Sequence, residues 1–332
     1  MKVLVVGGAG YIGSVVAQHL FAAGHSVVVA DDLSKGHLWA VPDGASLQRV
    51  DVLDQAALTA VVAGGFDAVL HFAALSLVGE SVAHPVRYFR TNLGGTLNLL
   101  DAMRAAGVRR LVFSSTAATY GETETVPIPE SAPTRPTNPY GASKVAVDAA
   151  IGFEAAASGL GAVSLRYFNV AGASGPLGEL HDPETHLIPN VLKVALGEAA
   201  SVSVFGNDYP TADGTAVRDY IHVDDLARAH LLALEPTLEP GHRIFNLGNG
   251  AGFSVREVID AARLVTGCQI PSVDAGRRAG DPAVLIASSA LIRRELGWVP
   301  EKPGLEEMVS DAWTWMRSHR PPARLPARPP EG

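Results

Sequence analysis

Cysteine is nearly missing from this chain: Cys268 is the only one among 332 residues, which excludes an intrachain disulfide and suits the reducing cytoplasm. Long apolar runs are missing as well. No stretch of about twenty residues is both apolar and free of charge, so no membrane-spanning helix is expected. The opening MKVLVVGGAGYIG is apolar only from Val3 to Val6 before its glycines begin, and no clean small-residue cleavage site follows, so it does not read as a signal peptide. Lys/Arg blocks are absent and the net charge is −8, which argues against nucleic acid or an anionic membrane as a main partner. A local basic spot for an anionic ligand stays open. The 11 histidines show no metal-ligand spacing such as HExxH, so no metal is expected, and His222 in DYIHV reads as structural. There is no solenoid repeat. The tail Pro321–Gly332 is Pro-rich and aperiodic, and reads as disordered.

What is present is apolar bulk, 47% hydrophobic against 18% charged, ample for a large core. Short β-branched runs at Lys2–Val6, Ser26–Ala30, Ser46–Val50, Ala68–His71, Arg110–Ser114 and Ala162–Arg166 read as strands. Helical patterns lie between them near Ile12–Ala23, Gln55–Ala63, Gly94–Ala106 and Tyr140–Ala157. Near-continuous apolar strands alternating with helices indicate an α/β fold: a Rossmann-like, doubly wound parallel sheet covered on both faces. The alternation breaks after Tyr167. Later elements are irregular, with helices near Ile188–Gly197, Val223–Leu234, Ser254–Thr266 and Leu305–Arg317, a strand near Val202–Phe205 and a loop over Gly206–Thr215. The expected division is a dinucleotide-binding domain over 1–168, a mainly substrate-binding lobe over 169–318 with some segments returning to the large domain, and a tail over 319–332.

Gly7, Gly10 and Gly13 form GxxGxxG directly after the first strand and open a helix. Such a turn lets the backbone approach a pyrophosphate, and the helix start offers free N–H groups and a positive dipole end. Asp31 ends the second strand, about where a carboxylate should hold an adenosine ribose. It would repel a 2′-phosphate, so NAD is favoured over NADP. Asp32 strengthens this or is a simple turn residue. Asp51, after the third strand, is equally suited to the adenine amino group or to a cap or turn.

Tyr140 and Lys144 have YxxxK spacing, and Asn138 and Pro139 before them suit an N-cap and first helical position. Residues four apart share a helix face. A nearby cation favours the phenolate, and bringing a tyrosine from pKa about 10 toward 7 takes roughly 4 kcal/mol. Tyr140 would then be a general base, with Lys144 and a positive nicotinamide ring as the cations. Thr116 follows the fifth strand, where ligands sit in open α/β sheets, and can hydrogen-bond a substrate oxygen.

Longer stretches carry a resemblance. GGAGYIGS (7–14), DDLSKGH (31–37), HFAALSLVGESV (71–82), NLGGTLNLL (92–100), FSSTAATYG (113–121), NPYGASK (138–144), RYFNVAGA (166–173), FGNDYPTADGTAVRDYIHVDDLA (205–227), NLGNG (246–250) and RRAGDPA (277–283) resemble the UDP-glucose (UDP-galactose) 4-epimerase family of the extended short-chain dehydrogenases/reductases. The match runs to about Trp315. It implies Tyr140 as base, Lys144 on the nicotinamide ribose and Thr116 at the sugar. Around NAD it implies Gly7, Gly10, Tyr11, Ile12, Gly13, Asp31, Asp32, Leu33, Asp51, Val52, Phe72, Ala73, Ala74, Asn92, Ser114, Tyr140, Lys144 and Tyr167. Around the UDP-hexose it implies Ser76, Thr116, Tyr140, Phe168, Asn169, His186, Leu187, Ser203, Val204, Phe205, Arg218, Tyr220, Arg278 and Asp281. Arg218 and Arg278 can each offer several N–H groups to a diphosphate, or pair with Asp219 and Asp281. Ser76 stands where some members carry a lysine on the cofactor phosphates. Leu285 stands at a wall position that separates N-acetylated from plain sugars by size, and leucine is intermediate.

The implied reaction oxidises C4 transiently on bound NAD, turns the 4-keto sugar about its UDP anchor and returns the hydride from the other side. Binding energy placed on the unreactive nucleotide permits that turn. A 4,6-dehydratase would need an Asp-Glu pair after Thr116, where Ala117 and Ala118 stand. A UDP-N-acetylglucosamine or UDP-glucuronate 4-epimerase differs only in pocket shape. A non-catalytic NAD-binding sensor would not need Tyr140, Lys144 and Thr116 together. The family also implies a cytoplasmic homodimer joined through Gly94–Ala106 and Tyr140–Ala157, whose apolar faces the monomer core could equally use.

Overall fold

The computed structural model describes residues 1–278 and 281–319; the Pro-rich tail expected to be disordered lies outside the described residues. Its centre is a 7-stranded parallel sheet of β1 (Lys2–Val6), β2 (Ser26–Asp31), β3 (Ser46–Arg49), β4 (Ala68–His71), β5 (Arg110–Thr116), β6 (Gly161–Tyr167) and β7 (Gly241–Leu247). The spatial order is β3-β2-β1-β4-β5-β6-β7, so the winding reverses between β1 and β4. That reversal opens the crevice in which such sheets bind ligands.

The first strand shows why both faces are covered. Val3 and Val5 enter one core with Val15, Val16 and Leu20 of α1 (Tyr11–Ala22). Leu4 and Val6 enter the other, with Leu58 and Val62 of α2 (Gln55–Val62), Leu99 and Met103 of α3 (Gly95–Ala106) and Val147 and Ile151 of α4 (Pro139–Ser158). Side chains alternate across a strand, so an uninterrupted apolar run feeds two cores at once. Helix α4 begins where the sequence predicts: Asn138 Oδ1 accepts from Gly141 N at 2.9 Å, Pro139 fills the first turn, and Gly159 closes the helix at φ 72.

After β6 the chain builds a smaller lobe on α5 (Leu187–Ala195), α7 (Val255–Thr266) and α8 (Leu305–Ser318), and returns to the sheet in between. Helix α6 (Val223–Leu232) packs its Leu226 and Ala229 into the α1 core, and β7 pairs with β6 as the edge strand. The lobe's own core joins Ile188, Val191, Val204, Val258, Ile259, Met308 and Val309. Helix α7 starts with a reciprocal Ser254/Glu257 capping box.

Two differences from the sequence reading stand out. Residues 78–94 are helical in three short pieces, Val78–Ala83, Pro85–Tyr88 and a π-helical Phe89–Gly94. None is long or periodic enough to register as a helix by pattern. The fifth strand runs on to Thr116, two residues further than its apolar stretch, because Ser115 and Thr116 pair with Arg166 and Tyr167 of β6.

β4 ends on His71, which is 1% exposed. Its Nε2 lies 3.0 Å from Thr96 Oγ1, whose hydrogen goes to Asn92 O, so Nε2–H donates and Nδ1 is left without a partner. Burial, helped by the Lys144 charge, lowers His71 to about 3, and burial lowers His230 of α6 to about 4. Both folded values lie below the ordinary 6.5, so the stability from these neutral rings is present above about 6.5 and lost as the pH falls toward 4. From about pH 7 to about pH 5.5 each ring should remove about 1 kcal/mol of stability. Urea unfolding at the two pH values measures this, and His71→Gln should shrink the difference.

Candidate active site

At the β1 end the backbones of two strands nearly touch. Gly7 has φ +80, and a Cβ built there would lie 2.4 Å from Ala73 N. One on Gly13 would lie 2.2 Å from Gly7 O. These two glycines are required by the protein's own packing. Gly10 is different: a Cβ there would meet only Gly7 O, at an ordinary 3.6 Å. What a side chain at Gly10 would fill is the space over the start of α1, where no acidic residue in the first turn offsets the dipole. That is a cradle for a pyrophosphate.

Beside it, Asp31 is 8% exposed, and its two oxygens accept from Ala9 N at 3.0 Å and Leu33 N at 2.8 Å. Burial raises its pKa while the two backbone bonds oppose the rise. The carboxylate is thus oriented at the mouth of the glycine turn with lone pairs left for ribose hydroxyls. Leu33 takes φ 61, the one non-glycine residue of positive φ among those described. Asp32 and Asp51 each accept from the backbone N–H two residues on, at 2.8 Å, so both make turns. Asp54, not Asp51, caps α2. Val52 is buried under Gly95. These features fit an NAD molecule whose pyrophosphate lies over Gly10, Tyr11 and Ile12.

The candidate catalytic residues converge on the ends of β5 and β6. Lys144 Nζ donates to Ser114 O at 2.8 Å and sits 4.6 Å from the centre of the Phe113 ring. Burial pulls its pKa down to about 7, against the charge of Asp148, which itself pairs with Arg166 at 2.8 Å. Ser114 Oγ is hydrogen-bonded to the Tyr167 hydroxyl. Tyr140 meets the Thr116 hydroxyl and the edge of Tyr88, ring centres 6.4 Å apart. Burial lifts the Tyr140 phenol above its ordinary range, and the bond to Thr116 pulls the other way. The expected acidification by Lys144 is therefore not what governs the phenol in this arrangement. The ammonium is anchored on the Ser114 carbonyl instead.

Phe72 and Tyr167 both flank the buried His230 ring, at 4.9 and 6.0 Å. Periodicity could not single out His230, which sits on a helix read as part of the smaller lobe. Asn92 is corrected in role. Its amide accepts from Leu75 N at 2.8 Å and donates to Leu75 O and Ser143 Oγ, so it fastens the loop carrying Phe72, Ala73 and Ala74 and has no free group to aim at a cofactor.

On the lobe side, Arg278 lies over the Phe205 ring at 4.0 Å, and Arg218 pairs with Asp281. The ion-pair alternative thus holds for Arg218, with Asp281 rather than Asp219. Asp219 is fully buried and accepts from the N–H groups of Asn249, Gly250 and Ala287, so it ties three loops together. Arg218 is in register with Leu285 on a short sheet, and Asn169 N donates to Asp219 O. Tyr209 and Arg277 join the group, the guanidinium 4.3 Å over the ring. Two expected contact residues are corrected: Val204 and Tyr220 bury their side chains in the lobe core because each alternates inward on its strand. Ser203 and Ser76 are exposed, while Phe168 and Leu187 are half-buried. His186 begins α5 with its ring against Glu179 and Glu184. Burial would lower its pKa, but the two carboxylates raise it to about 10.

The different roles of the glycines are testable. Gly10→Val should keep its melting temperature while NAD binding, followed by titration, weakens by about tenfold or more. Gly13→Val should lose stability as well, since the clash is with backbone.

The sequence model of the NAD dependent epimerase/dehydratase family matches residues 3–248. A UDP-glucose 4-epimerase of Streptomyces lividans is 62% identical, over 96% of this chain and 97% of its own. The crystal structure of UDP-glucose 4-epimerase from Brucella ovis in complex with NAD superposes with TM-score 0.91 at 46% identity, covering 94% of this chain and 97% of that one. That of UDP-glucose-4-epimerase from Stenotrophomonas maltophila with bound NAD and formylated UDP-arabinopyranose gives 0.92 at 42% identity, covering 96% and 98%. The glycine turn, the Tyr140/Lys144 helix and the fold around them therefore share one ancestry with those enzymes, and the chain belongs to the NAD dependent epimerase/dehydratase family.

Proposed function

We propose that this chain interconverts UDP-glucose and UDP-galactose, with NAD held over the glycine turn and the hexose C4 presented to Tyr140 and Thr116. The observation that carries the reading is the meeting of Tyr140 with the Thr116 hydroxyl at the end of β5, beside a lysine anchored on the same strand. NAD, when bound, supplies the hydride acceptor and then the hydride donor for C4, and in its oxidised form a positive charge that favours the phenolate.

The chain's own groups do the rest. Thr116 accepts the hexose 4-hydroxyl hydrogen bond and relays its proton to Tyr140, which returns it when the epimer forms. Lys144, poised at about 7, places its charge on the β5 side of the site and orients the ribose. Arg278, and Arg218 released from or shared with Asp281, take the diphosphate. Phe205 stacks under the Arg278 guanidinium and steadies it. The nucleotide stays held while the 4-keto sugar turns, since the contacts made to UDP do not depend on which face of the hexose is presented.

The lobe over 169–318 serves the nucleotide sugar, with α6 and β7 returned to the large sheet. Phe153 on α4 is 79% exposed and Leu97 on α3 is 44% exposed, which supports a homodimer joined through these helices. Among the described residues no helix is long and apolar enough to cross a membrane. The single cysteine carries the assignment to the cytoplasm.

Incubation with UDP-glucose should yield UDP-galactose, with the N-acetylated pair run in parallel to place the Leu285 wall. Tyr140→Phe should cut kcat by about 100-fold or more while NAD binding persists. Normal turnover by that variant would remove the assignment.

A further inference from the structure

Among the described residues, one group of side chains has the composition and convergence of a metal site. It lies in the segment Glu179-Leu180-His181-Asp182-Pro183-Glu184-Thr185-His186, just before α5. One ligand atom from each of Glu179, His181, Glu184 and His186 falls within 4.8 Å of the others. The spacing is E-x-H-x-x-E-x-H, which differs from HExxH and escapes a search for helical zinc motifs. The loop folds back on itself, so residues two, three and five apart meet at one point.

The contacts have an unusual character. His186 Nδ1 is 2.7 Å from Glu179 Oε1 and 3.0 Å from Glu184 Oε1, and His181 Nδ1 is 3.1 Å from Glu179 Oε1 and 3.7 Å from Glu184 Oε2. Yet His181 Nδ1 is shut off from solvent and makes no hydrogen bond, despite that short approach. Its nitrogen faces the common centre of the group rather than an acceptor along an N–H direction. A tetrahedral zinc shell at about 2.0–2.1 Å has ligand–ligand edges of about 3.3 Å. The four separations, 2.7 to 3.7 Å, bracket that edge. Both carboxylates are withdrawn from water, with Glu179 and Glu184 side chains 8% and 2% exposed. Thr185 N and His186 N, each 2.8 Å from Glu184 Oε1, hold the second carboxylate in place.

We propose that Glu179, His181, Glu184 and His186 bind one divalent cation of the zinc type. Two imidazole nitrogens select against magnesium and calcium, which take oxygen donors, and four converging N/O ligands match zinc. Two carboxylates and two neutral imidazoles leave the bound site without net charge. The role is structural. Lys35 Nζ donates to Asp182 O at 2.7 Å, His37 reaches Leu180 O at 3.2 Å, and His186 begins α5. A cation here locks the loop that joins the rim of the cofactor turn to the nucleotide-sugar lobe.

The test uses the full chain, freed of any affinity tag and with Cys268→Ser as background so that its thiol cannot bind metal. After chelator treatment, zinc titration by calorimetry and elemental analysis should give one equivalent per chain. Cobalt should give the intense visible bands of a tetrahedral N/O site, and magnesium and calcium should give nothing. His181→Ala should abolish the cobalt spectrum and the zinc equivalent, and Glu184→Gln should weaken both by about tenfold or more. Because His181→Ala could unfold the loop, a near-ultraviolet circular dichroism spectrum is taken first, and the unmutated ligand set alone decides the cobalt result. Absence of stoichiometric zinc with a native-like spectrum, or zinc binding unchanged in folded His181→Ala, overturns the proposal. In either case the group is a closed network of imidazolium and carboxylate. None of these readouts depends on epimerase turnover, so a failure here leaves the catalytic reading untouched and the reverse also holds.

Discussion

The whole molecule is organised around the close approach of Gly7 to the backbone of Phe72 and Ala73, where β1 and β4 end side by side. Phe72 N and Ala73 N both donate to Val6 O, at 2.7 and 3.1 Å, and this draws the β4 exit under the glycine turn. A Cβ on Gly7 would stand 2.4 Å from Ala73 N, so any side chain there would push the two strand ends apart. With them would go the reversal of winding, the start of α1 and the crevice itself. The turn's third glycine closes over Gly7 O for the same reason. Only the middle one is kept free for something the protein does not contain.

From that crevice the chemistry is laid out along consecutive strand ends. The loop after β4 is fastened by Asn92, the end of β5 gives Ser114 and Thr116, and β6 gives Tyr167. Helix α4 crosses behind them and supplies Tyr140 and Lys144 one turn apart. Its lysine is held by a strand carbonyl, with the Asp148–Arg166 pair as a counter-charge deeper in the core. Burial works against both ionisable groups, raising the phenol and lowering the ammonium. A site arranged so that neither charge is comfortable alone favours a proton that moves readily when a cation or a substrate oxygen arrives.

Much of this was legible in the residues. Apolar runs of strand length, a glycine turn placed at the first strand end and an Asn-Pro start to the YxxxK helix each rest on local chemistry that a few consecutive residues express. Where the reading missed, the cause was distance along the chain. Asn92 lies in a π-helical stretch, and its amide is claimed by Leu75, 17 residues away. Val204 and Tyr220 sit in segments that match the family closely, but their side chains face the lobe core. Asp281, 63 residues from Arg218, captures its guanidinium.

The sequence by itself determined the α/β class, the order of the strands, the carboxylate at the end of β2 and the pair of residues on α4, because each follows from period, capping or a glycine whose backbone freedom is local. The tertiary structure alone decided that α6 and β7 rejoin the large sheet, which charge each arginine meets, and that two glutamates and two histidines of one short loop converge on a point. Those outcomes depend on which surfaces remain to be buried once the first sheet has formed, and no window of neighbouring residues carries that information.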